Sequence, residues 1–286
     1  HDSQFTIGEA RAVQTGGIDA STGISYDINL YGQLGGSVIT PLSSLLQTQL
    51  EAGVEFSHAN ESLAAHMGLA SGSDLSTLNP LESNNQTLAL NGAVMTVAVQ
   101  FAELAALHLG SNEAQASFPV FQAIADVLEN LANGEQANFS DAGLLSSIAQ
   151  ELNLGSLFNQ EILDFMVASQ HAIQYSMEGN LSSADALTAL SAVQHLTQGS
   201  YAQVLESVST GTISIESLGE LTHSLDLYGH GNLILEQLSN FDYQLRTANN
   251  DSKISSVEFD TALAVNPINT GDHFSVTSNN NLINND

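Results

Sequence analysis

The segment "NNQTLALNGAVMTVAVQFAELAALHLG", residues 84–110, constrains the fold more than any other part of this chain. Leu90, Val94, Val97, Phe101 and Leu104 recur at helical spacing and form one stripe. The other faces of the same helix are also largely apolar. A helix that is apolar all round has no side to offer water, so other elements must surround it. The stretch 88–109 is also long enough to raise the question of a membrane span. Asn91, Gln100 and Glu103 interrupt it, which points to a buried core helix and to no transmembrane segment.

What surrounds that helix reads as more helix. "TPLSSLLQTQLEAG" offers Thr40 as N-cap, Pro41 at the first helical position and Gly53 past the end. Ser57 is the expected cap of "HANESLAAHMGL", and "FPVFQAIADVLENLANG" reads as a helix from Phe118 that stops at Gly134. Further helices are expected near 140–153, 157–177, 182–197, 199–208, 214–228, 231–245 and 255–264. In the 157–177 helix the inner stripe is Phe158, Ile162, Phe165, Met166 and Ile173. Before residue 40 the pattern differs. "FTIGEARAV" and "GISYDINLYGQL" carry β-branched and aromatic residues in partial alternation, punctuated by Gly16-Gly17 and Gly35-Gly36. The fold class predicted is mainly α: a bundle-like helical array with a small N-terminal β element and a possible C-terminal strand. The organisation expected is a β segment over 1–39, helical subdomains over 40–133 and 134–265 divided near 133–139, and a strand-like, Asn-rich tail over 266–286.

Charge decides which functions are open. The chain carries 31 Asp and Glu against three basic residues, Arg11, Arg246 and Lys253, for a formal charge of −28. Nucleic acid is excluded as a partner, because neutralising phosphates needs Lys and Arg. An anionic membrane surface repels the chain for the same reason. Phosphate-ester and carboxylate substrates are disfavoured too. The carboxylates relieve their repulsion through salt, separation or bound cations, and divalent cations suit hard oxygen ligands. A solubility surface for a salty medium accounts for the same charge without a specific site. No cysteine is present, so disulfides and thiolate metal sites are out. The chain opens at His1 without a signal peptide, as a processed chain or a piece of a longer one would.

Four segments share a form: "NFSDAGLL", "NLSSADAL", "TISIESLG" and "KISSVEFD", with Ser140, Ser182, Ser214 and Ser255 in register. The spacings between those serines are irregular, which argues against a strict solenoid. The physical content is a helix start. Ser182 with Asp185, and Ser255 with Glu258, have the spacing of a capping box, while Asp141 and Glu216 stand closer to their serines. The last segment also overlays a calcium loop. With Glu258 at position 12, the ligands are Thr247, Asn249, Asp251, Lys253 (through its carbonyl), Ser255 and Glu258, with Ile254 at the usual apolar position. Thr247 stands for the customary Asp and Ser252 for the customary Gly. Two carboxylates predict weak calcium binding, and a capped, metal-free turn explains the same residues.

Other chemistry is thin. No two of the nine histidines lie three or four apart, and HExxH, GxSxG, GxxxxGK and GxGxxG do not occur. His108 is expected as a hydrogen-bonded core histidine, and His1 is a copper ligand only if it is a true terminus. A Ser–His–Asp set or a carboxylate pair assembled from distant residues is invisible at this level.

One resemblance is informative. Gly16-Gly17-Ile18-Asp19-Ala20-Ser21-Thr22-Gly23, then Val38-Ile39-Thr40-Pro41-Leu42, then Met67-Gly68-Leu69 through Asp74-Leu75 to Asn79-Pro80 follow a recurrent pattern. Residues 12–83 resemble a module of very large secreted bacterial surface proteins of the RTX and calcium-dependent adhesin type. Asn79 stands where that family usually has Asp, and Ser43-Ser44 where it has Thr-Thr. The resemblance implies type I export, a multi-repeat or matrix-forming parent and calcium in the surroundings. It supplies no catalytic residue.

The function expected is therefore a non-enzymatic, extracellular structural or adhesive module of a surface layer, filament or biofilm matrix. Its partners would be copies of itself or neighbouring modules, met by strand addition near 4–15 and 272–278. The alternatives are a helical domain binding an apolar small molecule and a secreted hydrolase.

Overall fold

The computed structural model describes residues 11–17, 25, 27–178, 181–229, 243–244 and 255–265. In chain order these hold strands β1 (Arg11–Gln14) and β2 (Leu30–Gln33) and helices α1 (Pro41–Glu51), α2 (Phe56–His66), α3 (Asn85–Leu109), α4 (Glu113–Glu129) and α5 (Ala142–Glu151). Helices α6 (Gln160–Ser176), α7 (Ser183–Gln198), α8 (Ser200–Ser209), α9 (Ile215–Gly229) and α10 (Ser256–Val265) follow. The fold is mainly α with one two-stranded antiparallel sheet near the N-terminus.

Helix α3 is the hub, as its all-round apolar surface requires. Asn84 caps it, accepting from the Thr87 N–H at 2.8 Å. Gly110 ends it in the left-handed conformation at φ +61°, which a side chain would resist. Between the caps it packs against α1, α4, α6, α7 and α8. Val94, Val97, Phe101 and Leu104 lose all exposure, and Leu90 is half-buried. Phe101 stacks on Phe158 with centroids 5.6 Å apart. By length and composition α3 passes for a membrane span, but 78% of its most apolar window is covered by this fold. Helices on both sides of residues 133–139 pack on it. The apolar core is continuous from Ile28 to Ala262.

The polar residues that interrupt α3 stitch it to its neighbours. Gln100 Nε2 donates to Ser169 Oγ on α6 at 3.0 Å and to the Thr197 carbonyl on α7 at 3.3 Å. Thr96 Oγ1 accepts from Gln198 Nε2 at 3.0 Å. A buried amide left without such partners would cost about 1–3 kcal/mol, so these bonds fix which helices meet. The closest approach is at Gly92, where a Cβ would stand 2.9 Å from Leu190 Cδ1.

Several local expectations are corrected by what the caps do. Helix α2 begins two residues early because Glu55, not Ser57, caps it, accepting from the His58 N–H at 3.2 Å. The Ser57 hydroxyl also donates to Glu55. With the Ser57 and His58 N–H groups these donors hold the Glu55 carboxyl below its ordinary range. Helix α4 starts at Glu113, well before Phe118, because Asn112 and Gln115 form a capping box. Pro119 therefore lies inside the helix and does not open it. Ser140 is buried, and Asp141 is the cap of α5, accepting from the Leu144 N–H at 2.8 Å. Ser214, which lacks an acid at the box spacing, still accepts from the Ser217 N–H at 3.3 Å. His108 is exposed and is no core histidine; among the described residues the buried histidine is His66, whose Nδ1 meets the Glu135 carbonyl at 2.9 Å. The expected helix 231–245 lies outside the described residues apart from 243–244. The proposed strand 272–278 and residues 4–10 also lie outside them.

Candidate functional site

The N-terminal sheet is the most elaborately supported polar site among the described residues. β1 and β2 pair in antiparallel register, Val13 opposite Tyr31 and Ala12 opposite Gly32. Tyr31 does not bond to β1 through its backbone. Its N–H donates to Ser44 Oγ at 2.9 Å, and its carbonyl accepts from Ser43 Oγ at 2.9 Å and Ser44 Oγ at 3.2 Å. The first turn of α1 thus closes the far edge of β2 with two hydroxyls. The alternation of an antiparallel ladder then gives the ladder bonds to the Ala12–Gly32 and Gln14–Leu30 pairs. The backbone groups of Arg11 and Val13 point away from β2, along the outer edge of the sheet.

Arg11 pins this sheet to the helical body. Its Nη1 lies 3.1 Å and 3.3 Å from the two carboxylate oxygens of Glu51 at the end of α1. The guanidinium carbon stands 4.9 Å from the Tyr31 ring centroid and 4.6 Å from that of Phe118. Those two rings meet edge to face at 5.2 Å. A planar, weakly hydrated cation is suited to such a seat, where a compact ammonium is not. The Tyr31 hydroxyl meets Ser117 Oγ on α4 at 2.9 Å, and Asn29 bonds to Ser117 Oγ and the Ala114 carbonyl at 3.2 and 3.0 Å. One of only three basic residues in the chain is thus committed to holding the sheet. Sequence reasoning counted Arg11 but could not find this seat, because its partners Tyr31, Glu51 and Phe118 lie on three separate elements, the nearest 20 residues away.

The calcium-like loop is described only at its end. Thr247, Asn249, Asp251 and Lys253 lie outside the described residues. Ser255 and Glu258 form a reciprocal capping box at the start of α10. Glu258 Oε2 accepts from the Ser255 N–H at 2.8 Å and from its hydroxyl at 2.7 Å, and the Glu258 N–H reaches back to Ser255 Oγ at 3.4 Å. A bidentate calcium ligand presents both oxygens to the ion, whereas here one oxygen serves the cap. On α7 the Ser182 hydroxyl donates to Asp185 Oδ2 at 2.6 Å and accepts from the Asp185 N–H at 3.2 Å, without the backbone half of the box.

Two recesses are formed by described residues. One, of about 450 Å³, opens between α6 and α9 and is lined by Glu161, Asp164, His171, Thr222, His223 and Asp226. The Thr222 hydroxyl donates to the Leu218 carbonyl at 2.9 Å, so its proton is engaged within its own helix. Among the described residues no three His, Asp or Glu side chains gather as metal ligands do. Near this face, burial and then the Asp260 charge raise the Glu220 carboxyl above its ordinary range. Burial and the neighbouring Tyr175 push the Tyr228 phenol up to about 12. The second recess, of about 570 Å³, lies under the 130–141 loop and has Glu135, Gln136, Asn138, Asp141 and Glu151 in its wall. Both are open to solvent.

Of the residues that carry the resemblance, 18–23 lie outside the described residues, and several of the others do local structural work. Thr40 and Ser43 form the α1 capping box, with Pro41 at the first helical position. Ser43 and Ser44, in place of Thr-Thr, keep the hydroxyls that clamp β2. Asp74 Oδ1 accepts from the Ser76 N–H at 2.9 Å, and Asn60 Oδ1 from the Leu75 N–H at 2.9 Å. Asn79, in place of Asp, still caps the 3₁₀ turn Pro80–Glu82 by accepting from the Leu81 N–H at 3.1 Å. Each departure preserves the oxygen that the turn needs. Comparison with known proteins adds no name to this geometry: no family model, no curated protein and no solved structure matches the chain.

Proposed function

We propose that this chain is a structural module of an extracellular surface assembly, such as a layer, filament or matrix, and that it joins neighbouring modules through its N-terminal strand. The observation that carries this reading is the outward-facing backbone of Arg11 and Val13 on a sheet whose other edge is already closed. A strand edge backed by a rigid body is a ready template for main-chain pairing. The charge of −28 supports the same setting, since such a surface stays soluble and repels unspecific partners until cations screen it. Calcium belongs to the proposal as a weak ligand of the 247–258 loop that stiffens the C-terminal junction.

The test is the assembly state of the purified chain, by light scattering and electron microscopy, with calcium and with a chelator. Val13→Pro removes the outward N–H and leaves both ladder pairs with β2, so it should abolish assembly and leave the fold intact. A chain that stays monomeric at high concentration with calcium present, or a Val13→Pro variant that assembles like the parent, overturns the proposal.

A further inference from the structure

We propose that β1 is an exchangeable strand: Arg11–Gln14 of one copy docks in the socket formed by β2, α1 and α4 of a second copy, which returns its own strand. This rests on the assembly reading above and deepens it by naming the occupant and the socket.

The two strands differ sharply in burial. Arg11, Val13 and Gln14 are exposed and Ala12 is half-buried, whereas Leu30, Tyr31 and Gly32 are buried. β1 is thus held by direction-specific contacts, two ladder pairs and the Arg11 seat, and by little apolar area. β2 in turn has one edge left to fill, because Ser43 and Ser44 occupy the other. If β1 leaves, only another strand meets those backbone groups, and an identical strand meets them identically. The connection permits this. Fifteen residues, 15–29, separate the paired ends of the two strands, many more than a tight hairpin loop uses. The charge pattern selects the partner. Two bodies of charge −28 repel, and Arg11 brings a cation to the Glu51 carboxylate and the faces of Tyr31 and Phe118. The chain's own strand competes at an effective concentration on the order of millimolar. Exchange therefore prevails where modules are crowded, and the dilute chain stays closed.

The experiment is charge complementation. Arg11→Glu and Glu51→Arg each place like charges in the closed fold. In a reciprocal exchange between the two variants, both sockets regain opposite charges. Equal amounts are mixed, one isotopically labelled, and resolved by native mass spectrometry after far-UV circular dichroism has shown each to be folded. The heterodimer is expected to exceed either homodimer roughly tenfold. A mixture that remains the superposition of its two parents overturns the proposal. If either variant does not fold, labelled and unlabelled wild-type chains are co-refolded at about 1 mM. Mixed-label dimers are then expected, and a product that is wholly monomeric overturns the proposal. Adding Val13→Pro to both partners separates the two readings. The Val13 N–H faces outward, so the heterodimer persists while edge-to-edge assembly is lost. Loss of the heterodimer under Val13→Pro overturns exchange, as does its absence alongside Val13-dependent assembly, which leaves edge pairing standing.

Discussion

Replacing Arg11 with alanine tests whether the N-terminal sheet is held by chemistry or merely lies on the body. Two ring contacts at 4.6 and 4.9 Å contribute about 0.5–1 kcal/mol each. The half-exposed ion pair with Glu51 contributes about 0.5 kcal/mol. The loss is therefore about 2 kcal/mol, and it falls on the sheet first, because β1 touches little else. Sub-global opening should speed exchange of the Ala12, Gln14, Leu30 and Gly32 amides roughly thirtyfold, measured by hydrogen exchange, while the α3 amides hold their protection. Salt separates the contributions. At about 1 M ionic strength the ion pair is screened, and the ring contacts are not, so roughly a tenfold acceleration should remain. Arg11→Lys should fall between the two, since it keeps the charge and loses the planar stack. Unchanged amides in the sheet, or an effect that disappears entirely in high salt, would refute the reasoning.

Other perturbations reach the core, the acidic face and the C-terminal loop. Gln100→Glu puts a charge among Ser169, Thr197 and fully buried apolar neighbours, and should cost more than about 3 kcal/mol in urea melts. Gln100→Leu should cost less than half as much, and equal costs would mean that volume rather than polarity governs the site. Glu220 binds its proton more tightly when folded than when unfolded. Its contribution is thus favourable at low pH and is lost as pH rises from the unfolded value of 4.5 through the raised folded one. Glu220→Gln should accordingly raise the melting temperature at about pH 7 and leave it unchanged at about pH 4; the opposite ranking would show that burial of Glu220 is not penalised. Glu258→Ala removes half of the α10 capping box and should cost about 1 kcal/mol with or without calcium. A calcium-induced rise in melting temperature that vanishes in this variant would place the ion in the 247–258 loop, and calcorimetric titration of the parent that shows no heat would remove calcium from the proposal.

The helices were legible because their ends carry chemistry. Thr40-Pro41, Ser182 and Ser255 announce themselves within four residues, and α3 announces its burial through its own composition. Where two local signals competed, the nearer one misled. The run from Phe118 reads as a helix, yet the Asn112–Gln115 box begins α4 earlier and carries Pro119 inside. Ser140 matched its three sister serines, yet the neighbouring Asp141 was the better acceptor. His108 followed the apolar stripe, but the last turn of α3 emerges from the body. The Arg11 seat was not legible at all. It is made by residues from β2, α1 and α4, and no spacing within one segment encodes it. The calcium-like segment was legible as a cap, because a cap needs only the two residues Ser255 and Glu258, while a cation needs a closed ring of ligands.

The position of α3 in the chain sets a timetable for folding. Its covers arrive late: α6, α7 and α8 end at residues 176, 198 and 209, long after Leu109 has been made. At roughly 5–20 residues per second, about 100 further residues take some 5–20 seconds of synthesis. During that interval a 25-residue apolar helix stands partly bare, with a composition that a membrane would accept. Thr96, Gln100 and Glu103 lie in that helix before Ser169, Thr197 and Gln198 exist to meet two of them. When those helices arrive, Gln100 bonds to Ser169 and Thr197 and Thr96 to Gln198, so the polar groups of α3 select the helices that close over it.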